Sequence, residues 1–158
     1  MNIAYVALGA NLGDPSATIR AAFGALANLP ESRVVRCSSL YRTAPIGNTE
    51  QPAFINAAAV LETTLAPESL LDALLDIEAR FGRIRAEKNG PRTLDLDLLL
   101  YNNQQLDLPR LTLPHPRLHL RAFVLYPLAE LAPDLQLPGR GSIAAWLPAV
   151  ANQGISRL

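Results

Sequence analysis

A chain of 158 residues, 49% hydrophobic and 18% charged, is long enough to bury one core and too apolar to stay disordered. Fourteen Lys+Arg balance fourteen Asp+Glu, and this zero net charge argues against general binding to nucleic acid or to membrane surfaces. A single cysteine excludes an internal disulfide, and no cysteine–histidine cluster points to zinc.

The N-terminal MNIAYVALGANLG has neither the basic start nor the long apolar stretch of a secretory leader. No run of about 18 apolar residues occurs, so a cytoplasmic location is expected. Ile3–Leu8 reads as a short strand ending at Gly9, and Gly9–Gly13 as a tight strand-to-helix connection. Asp14-Pro15 has the acid-then-proline form of a helix start, opening an alanine-rich helix to about Asn28. Arg33–Arg42 reads as a second strand, with Cys37 as a small buried residue within it.

Thr43–Ala53 is a loop, because it holds two prolines and a glycine among polar residues. Phe54–Thr63 is strand-like. Pro67-Glu68 opens a helix, and Leu70, Leu71, Leu74, Leu75 and Ile77 keep the helical period until Gly82. A strand follows around 94–101. Arg121–Leu131 is expected to be helical in part, interrupted by Pro127, and Ser142–Leu147 to form a short helix. The order strand, helix, strand, strand, helix, strand predicts a single α+β domain over 1–158, a ferredoxin-like βαββαβ sandwich. Two helices would cover one face of its antiparallel sheet, leaving the other to loops and C-terminal additions.

The chemistry concentrates in one stretch, GPRTLDLDLLLY from Gly90 to Tyr101. Strand alternation turns Asp95 and Asp97 to one face and Leu94, Leu96 and Leu98 to the other. Two neighbouring carboxylates repel unless a cation meets them. Either Mg²⁺ bridged to phosphates or nearby arginines would satisfy them. The loop just before is basic, with Arg83, Arg85, Lys88 and Arg92 against Glu87 alone. Eight of the fourteen cations fall between Arg80 and Arg121, a bias that suits a small anionic ligand. No GxxxxGK[ST] phosphate loop is present.

Lys88-x-Gly90-Pro91-Arg92-x-x-Asp95-x-Asp97-Leu98-Leu99 strongly resembles the signature of the 6-hydroxymethyl-7,8-dihydropterin pyrophosphokinase family. ALGANLGD, SSLYRTAPIG, QPAFINAA, LLDALLDIEARFGR and LTLPHPRLHLRAFVLYPLAELAP follow the family's order, so the resemblance covers most of the chain. It implies a ferredoxin-like core and transfer of pyrophosphate from ATP to the pterin hydroxymethyl group, releasing AMP, in folate biosynthesis. It also implies that Asp95 and Asp97 hold two Mg²⁺ ions; from that position Asp95 is further expected to help orient the pterin hydroxyl. Arg83 and Arg92 would neutralise charge as the phosphate bond breaks, and Arg85 would assist with ATP.

For the pterin, the resemblance implies Thr43, Pro45 and Ile46 beside the ring, Asn56 on its polar edge, and Phe54 and Phe123 stacked against its faces. For ATP it implies Glu78, Leu98, Arg110, Thr112, His115 and Arg121, and for assembly a monomer. His119 is expected to be structural. The chain departs from the resembled form at Phe54 and Pro116, where tyrosines stand, at Leu75, where a polar residue stands, and at Asn89, where an aromatic stands. Its basic loop is also slightly shorter. Two other classes compete: a metal-dependent nucleotidyltransferase using the same Asp-x-Asp logic, and a ferredoxin-like RNA-binding module. Only 6% aromatic content with zero net charge opposes the latter.

Overall fold

Antiparallel pairing of the two longest strands organises the molecule. The computed structural model describes residues 1–43, 52–82 and 93–158. Its first half runs β1 (Asn2–Ala10), α1 (Pro15–Ala27), β2 (Ser32–Cys37), β3 (Tyr41–Thr43), β4 (Phe54–Thr63), α2 (Pro67–Arg80) and β5 (Asp95–Tyr101). Next come β6 (Leu106–Asp107), β7 (Thr112–Leu113), a 3-10 turn at Leu118–Leu120 and α3 (Ala122–Leu131). The chain closes with β8 (Gln136–Leu137), β9 (Gly141–Ser142), a 3-10 turn at Ile143–Trp146, α4 (Leu147–Val150) and β10 (Ile155–Arg157).

The main sheet has the order β10-β3-β4-β1-β5, and β2 also pairs with β4. Every pairing in it is antiparallel. This is the expected α+β ferredoxin-like arrangement. Local sequence explains its helices: Asp14 caps α1 by accepting from the Ala17 N–H at 3.2 Å, and prolines occupy the first positions of α1 and α2.

Both faces of the sheet are covered. On one face, Ile19, Ala22 and Leu26 of α1 and Leu70, Leu74 and Ile77 of α2 pack on Val6, Leu8, Leu61, Leu96 and Leu98. On the other, Val124, Leu125 and Leu128 of α3, with Leu118, Ile143 and Val150, pack on Ala7, Leu99 and Leu100. The leucine run of β5 serves both cores because its register against β1 shifts at Tyr5/Val6, turning Leu99 and Leu100 to the α3 side. Only the first part of the strand keeps strict alternation, and that part carries the two aspartates.

Three expectations need correction. Arg33–Arg42 is two strands rather than one, since the Ser38 side chain accepts from the Ala58 N–H at 2.8 Å and breaks the ladder. Cys37 is exposed, at the end of edge strand β2 and outside the buried clusters. Pro127 does not interrupt α3, which runs unbroken through it. A proline there merely deprives the Phe123 carbonyl, in the first turn, of its usual donor.

Candidate active site

The aspartates lie on the α3 side of β5, at the end away from Leu99 and Leu100. Asp95 stands opposite Gly9, and Asp97 opposite Ala7. Gly9 in turn faces Asn56, and Asn56 faces Tyr41. Directly paired residues share a face, so Asp95 and Asn56 flank a position without a side chain, about 10 Å apart at ordinary strand spacing. A Cβ at Gly9 would lie 2.9 Å from Asn56 Oδ1, so the glycine is what makes room for that amide. Asn56 is buried, and its Nδ2 donates to Thr43 Oγ1 at 2.8 Å. Phe54, two residues before Asn56, shares its face, and Phe123 sits in the first turn of α3, above the same side of the sheet.

A cleft of about 290 Å³ adjoins this row. Asp97, Leu98, Arg110, Thr112 and His115 line it together with Leu71, Leu96, Pro109, Leu111 and Pro116. Five residues expected at the phosphates, metal or nucleotide therefore meet around one space, polar at the acid and apolar along the leucines. Arg110 is held over the cleft by an ion pair with Asp72 of α2. The His115 N–H donates to the Leu99 carbonyl at 2.9 Å, and its Nδ1 accepts from the Arg117 N–H at 3.3 Å. Burial, seconded by the Arg121 charge, holds the His115 imidazole below its ordinary pKa, so it is neutral near pH 7. A neutral ring can donate through Nε2 without adding charge.

Two expected nucleotide residues stand elsewhere. Glu78 is buried between α2 and β5, where Oε2 accepts from the Leu96 N–H at 2.6 Å. It grips the strand at the residue between the two aspartates. Arg121 lies with Cζ 5.4 Å above the Phe123 ring, which brings an expected nucleotide residue against an expected pterin residue. Arg83, Arg85, Arg92, Pro45 and Ile46 lie outside the described residues.

Among the described residues no group of three or more His, Cys, Asp or Glu forms a metal cage. An acid pair beside an open cleft is the donor set that Mg²⁺ takes, with substrate phosphates and water completing the shell. The residues present therefore fit the ion. His119, by contrast, is buried with its ring edge-on to Trp146, centroids 4.8 Å apart, in the structural role expected of it.

The family model of 7,8-dihydro-6-hydroxymethylpterin-pyrophosphokinase matches residues 5–133. The chain belongs to that family. A 2-amino-4-hydroxy-6-hydroxymethyldihydropteridine pyrophosphokinase of Pseudomonas aeruginosa is 54% identical over 154 residues, spanning 98% of this chain and 95% of its own. The like-named protein of Methylorubrum extorquens is 45% identical over 158 residues, covering 100% of this chain and 99% of its own. Among solved structures, an HPPK-DHPS in complex with substrates superposes with a TM-score of 0.78 at 14% identity. That match covers 99% of this chain and 46% of the longer one, and shows the shared fold.

In this member of the pyrophosphokinase family, sequence reasoning missed the apolar cleft walls Leu71, Leu96, Pro109 and Leu111. Nothing in the sequence separates a leucine facing a ligand from one facing the core. It also missed Glu130 of α3, whose carboxylate accepts from Tyr41 Oη at 2.6 Å and from the Ser39 N–H at 3.0 and 3.1 Å. Those bonds anchor β3, the strand that presents Thr43. Among the described residues no helix is long and apolar enough to cross a membrane.

Proposed function

We propose that Asp95 and Asp97 hold two Mg²⁺ ions against the triphosphate of ATP, with the nucleotide in the cleft beside Asp97 and the pterin on the row from Asp95 to Asn56. The activity is transfer of pyrophosphate from ATP to the hydroxymethyl group of 6-hydroxymethyl-7,8-dihydropterin, giving AMP and the pterin diphosphate, in folate biosynthesis. The observation that carries the site assignment is the convergence of Asp97, Arg110, Thr112 and His115 on one cleft.

The pterin hydroxyl oxygen forms a bond to the β-phosphorus of ATP. The bond from that phosphorus to the α–β bridging oxygen breaks, AMP leaves with the oxygen, and the hydroxyl proton passes to water. Bound Mg²⁺ would draw charge from the phosphate oxygens and lower the pKa of the attacking hydroxyl. Asp95, opposite Gly9, positions that hydroxyl at the border of the two half-sites. Asn56 offers an acceptor and donors to the amino and oxo edge of the pterin, its orientation set by Thr43. Phe54 and Phe123 supply flat apolar surfaces for the ring.

Arg110, Thr112 and a neutral His115 bind the nucleotide, with Leu98 at the cleft wall and Arg121 at its border with the pterin. Glu78 serves ATP indirectly, by fixing β5. Arg83 and Arg92 neutralise charge developing on the leaving phosphate, and Arg85 assists with ATP. The chain acts as a single-domain cytoplasmic monomer.

The deciding experiment is AMP release from ATP with 6-hydroxymethyl-7,8-dihydropterin, with and without Mg²⁺. Turnover that stops on chelation and returns on adding Mg²⁺ is expected. Arg92→Ala should lower kcat far more than ATP affinity. AMP release undiminished by chelation would remove the metal assignment.

A further inference from the structure

The expected pterin and nucleotide residues Phe123 and Arg121 sit on a single short segment, at the junction between the Leu118–Leu120 turn and α3. Arg121 is the N-cap residue of α3, with φ −125° and ψ 117°, and makes no side-chain cap bond. Arginine carries only donors, so it cannot accept from the helix's first N–H groups. The acceptor comes from the far end of the chain. Gln153 Oε1 accepts from the Ala122 N–H at 2.9 Å, and its Nε2 donates to the Leu120 carbonyl at 3.0 Å. One side-chain amide thus grips the backbone on both sides of Arg121.

Gln153 is itself fixed. Its N–H donates to the Val150 carbonyl at 3.1 Å, closing a turn after α4, and Gly154 follows at φ +73°, where the chain reverses into β10. The preceding turn is held separately, by burial of Leu118 and by His119 against Trp146. What the amide adds is the orientation of the peptide groups from which the Arg121 and Phe123 side chains depart.

The geometry points to Gln153 as a positioning residue for both substrates, aiming Arg121 at the nucleotide and Phe123 at the pterin through the backbone between Leu120 and Ala122. This inference rests on the site assignment proposed above. It gives the C-terminal segment a part in substrate binding through the backbone that Gln153 grips.

The test compares wild type, Gln153→Ala, Gln153→Met, Arg121→Ala and Arg121→Ala/Gln153→Ala in the complete chain. Methionine keeps the side-chain length and removes both hydrogen bonds. Both Gln153 variants should raise KM for ATP and Kd for the pterin by about three- to tenfold, as expected on losing one partly buried and one exposed hydrogen bond, with kcat within about twofold of wild type. In the Arg121→Ala background, Gln153→Ala should add less than about twofold to the ATP KM, since an effect routed through Arg121 disappears with it.

Unchanged KM and Kd in both Gln153 variants, alongside a raised ATP KM in Arg121→Ala, would overturn the inference and leave the site assignment standing. A fully additive ATP loss in the double variant would overturn it too, marking Gln153 as a general structural clamp. Should Arg121→Ala itself leave the ATP KM unchanged, the nucleotide role of Arg121 falls, and this inference with it.

Discussion

Asn56 donates its side-chain N–H to Thr43 Oγ1 at 2.8 Å while its Oδ1 occupies the space that a Cβ on Gly9 would need. The amide is therefore locked by one neighbour and accommodated by another. Gly9→Ala would bring a methyl group to 2.9 Å from that oxygen, and Asn56, buried and tied to Thr43, has little freedom to move aside. The expected result is a pterin affinity about tenfold weaker, with the ATP KM within about twofold of wild type, because only the edge-reading amide is displaced. Fluorescence titration with the pterin and steady-state kinetics in ATP check the two halves of the statement.

The aspartates differ in what surrounds them. Asp97 lines the cleft proposed for the nucleotide, whereas Asp95 faces Gly9 on the row proposed for the pterin. If both hold the metal as proposed, Asp95→Asn and Asp97→Asn should each cut Mg²⁺-dependent turnover by more than about a hundredfold, since each removes a charged ligand. Their binding defects should part company. Asp97→Asn is expected to weaken Mg·ATP and leave the binary pterin complex near wild type, while Asp95→Asn weakens both. Isothermal titration with a nonhydrolysable ATP analogue and with the pterin separates them.

Much of this was legible in the sequence, for identifiable reasons. Helix α1 announces itself through Asp14-Pro15, β4 through the apolar run from Ala57 to Leu61, and the acid pair through alternation with Leu94, Leu96 and Leu98. The parts that were not legible depend on contacts between distant residues. The break between β2 and β3 is made by Ser38 bonding to Ala58, twenty residues away. Strand β10 is three residues long and exists because it pairs with β3. Gln153 and Glu130 look like ordinary polar residues until the fold brings them to backbone groups 31 and 91 positions away.

Glu78 tests how tightly the metal site depends on its strand. In the sheet order β5 is an outer strand, and the buried Glu78 carboxylate takes the Leu96 N–H between the two aspartates. Glu78→Ala strands a buried donor and should cost about 1.5–3 kcal/mol, the range for a hydrogen bond to a charged group. Glu78→Gln keeps an acceptor and should recover most of that stability. Urea unfolding measures the loss. If the carboxylate fixes Asp95 and Asp97 through Leu96, the Mg²⁺ concentration for half-maximal activity should rise in Glu78→Ala and return toward wild type in Glu78→Gln.

Glu130 ties α3 to β3 and sets a pH limit on the fold. Burial alone would raise its pKa, but bonds from Tyr41 Oη and from the Ser39 N–H and Oγ, with Arg157 3.7 Å away, together hold it below its ordinary 4.5. A carboxyl whose folded pKa is depressed contributes stability above its unfolded pKa and loses it as pH falls through the folded value. The contribution of Glu130 is therefore complete above about pH 4.5 and disappears at lower pH. Tyr41 acts at the other end. Burial, then the bond to Glu130, pushes its phenol up to about 12, so stability from this pair falls as pH rises past the ordinary tyrosine value of 10.0. Glu130→Gln should lower stability by about 2 kcal/mol at neutral pH, with the gap to wild type closing on acidification, because only the carboxylate form makes the charged bonds. Urea denaturation from neutral pH into the acid range measures that gap, and a gap of constant size would show that the charge on Glu130 is not what holds β3.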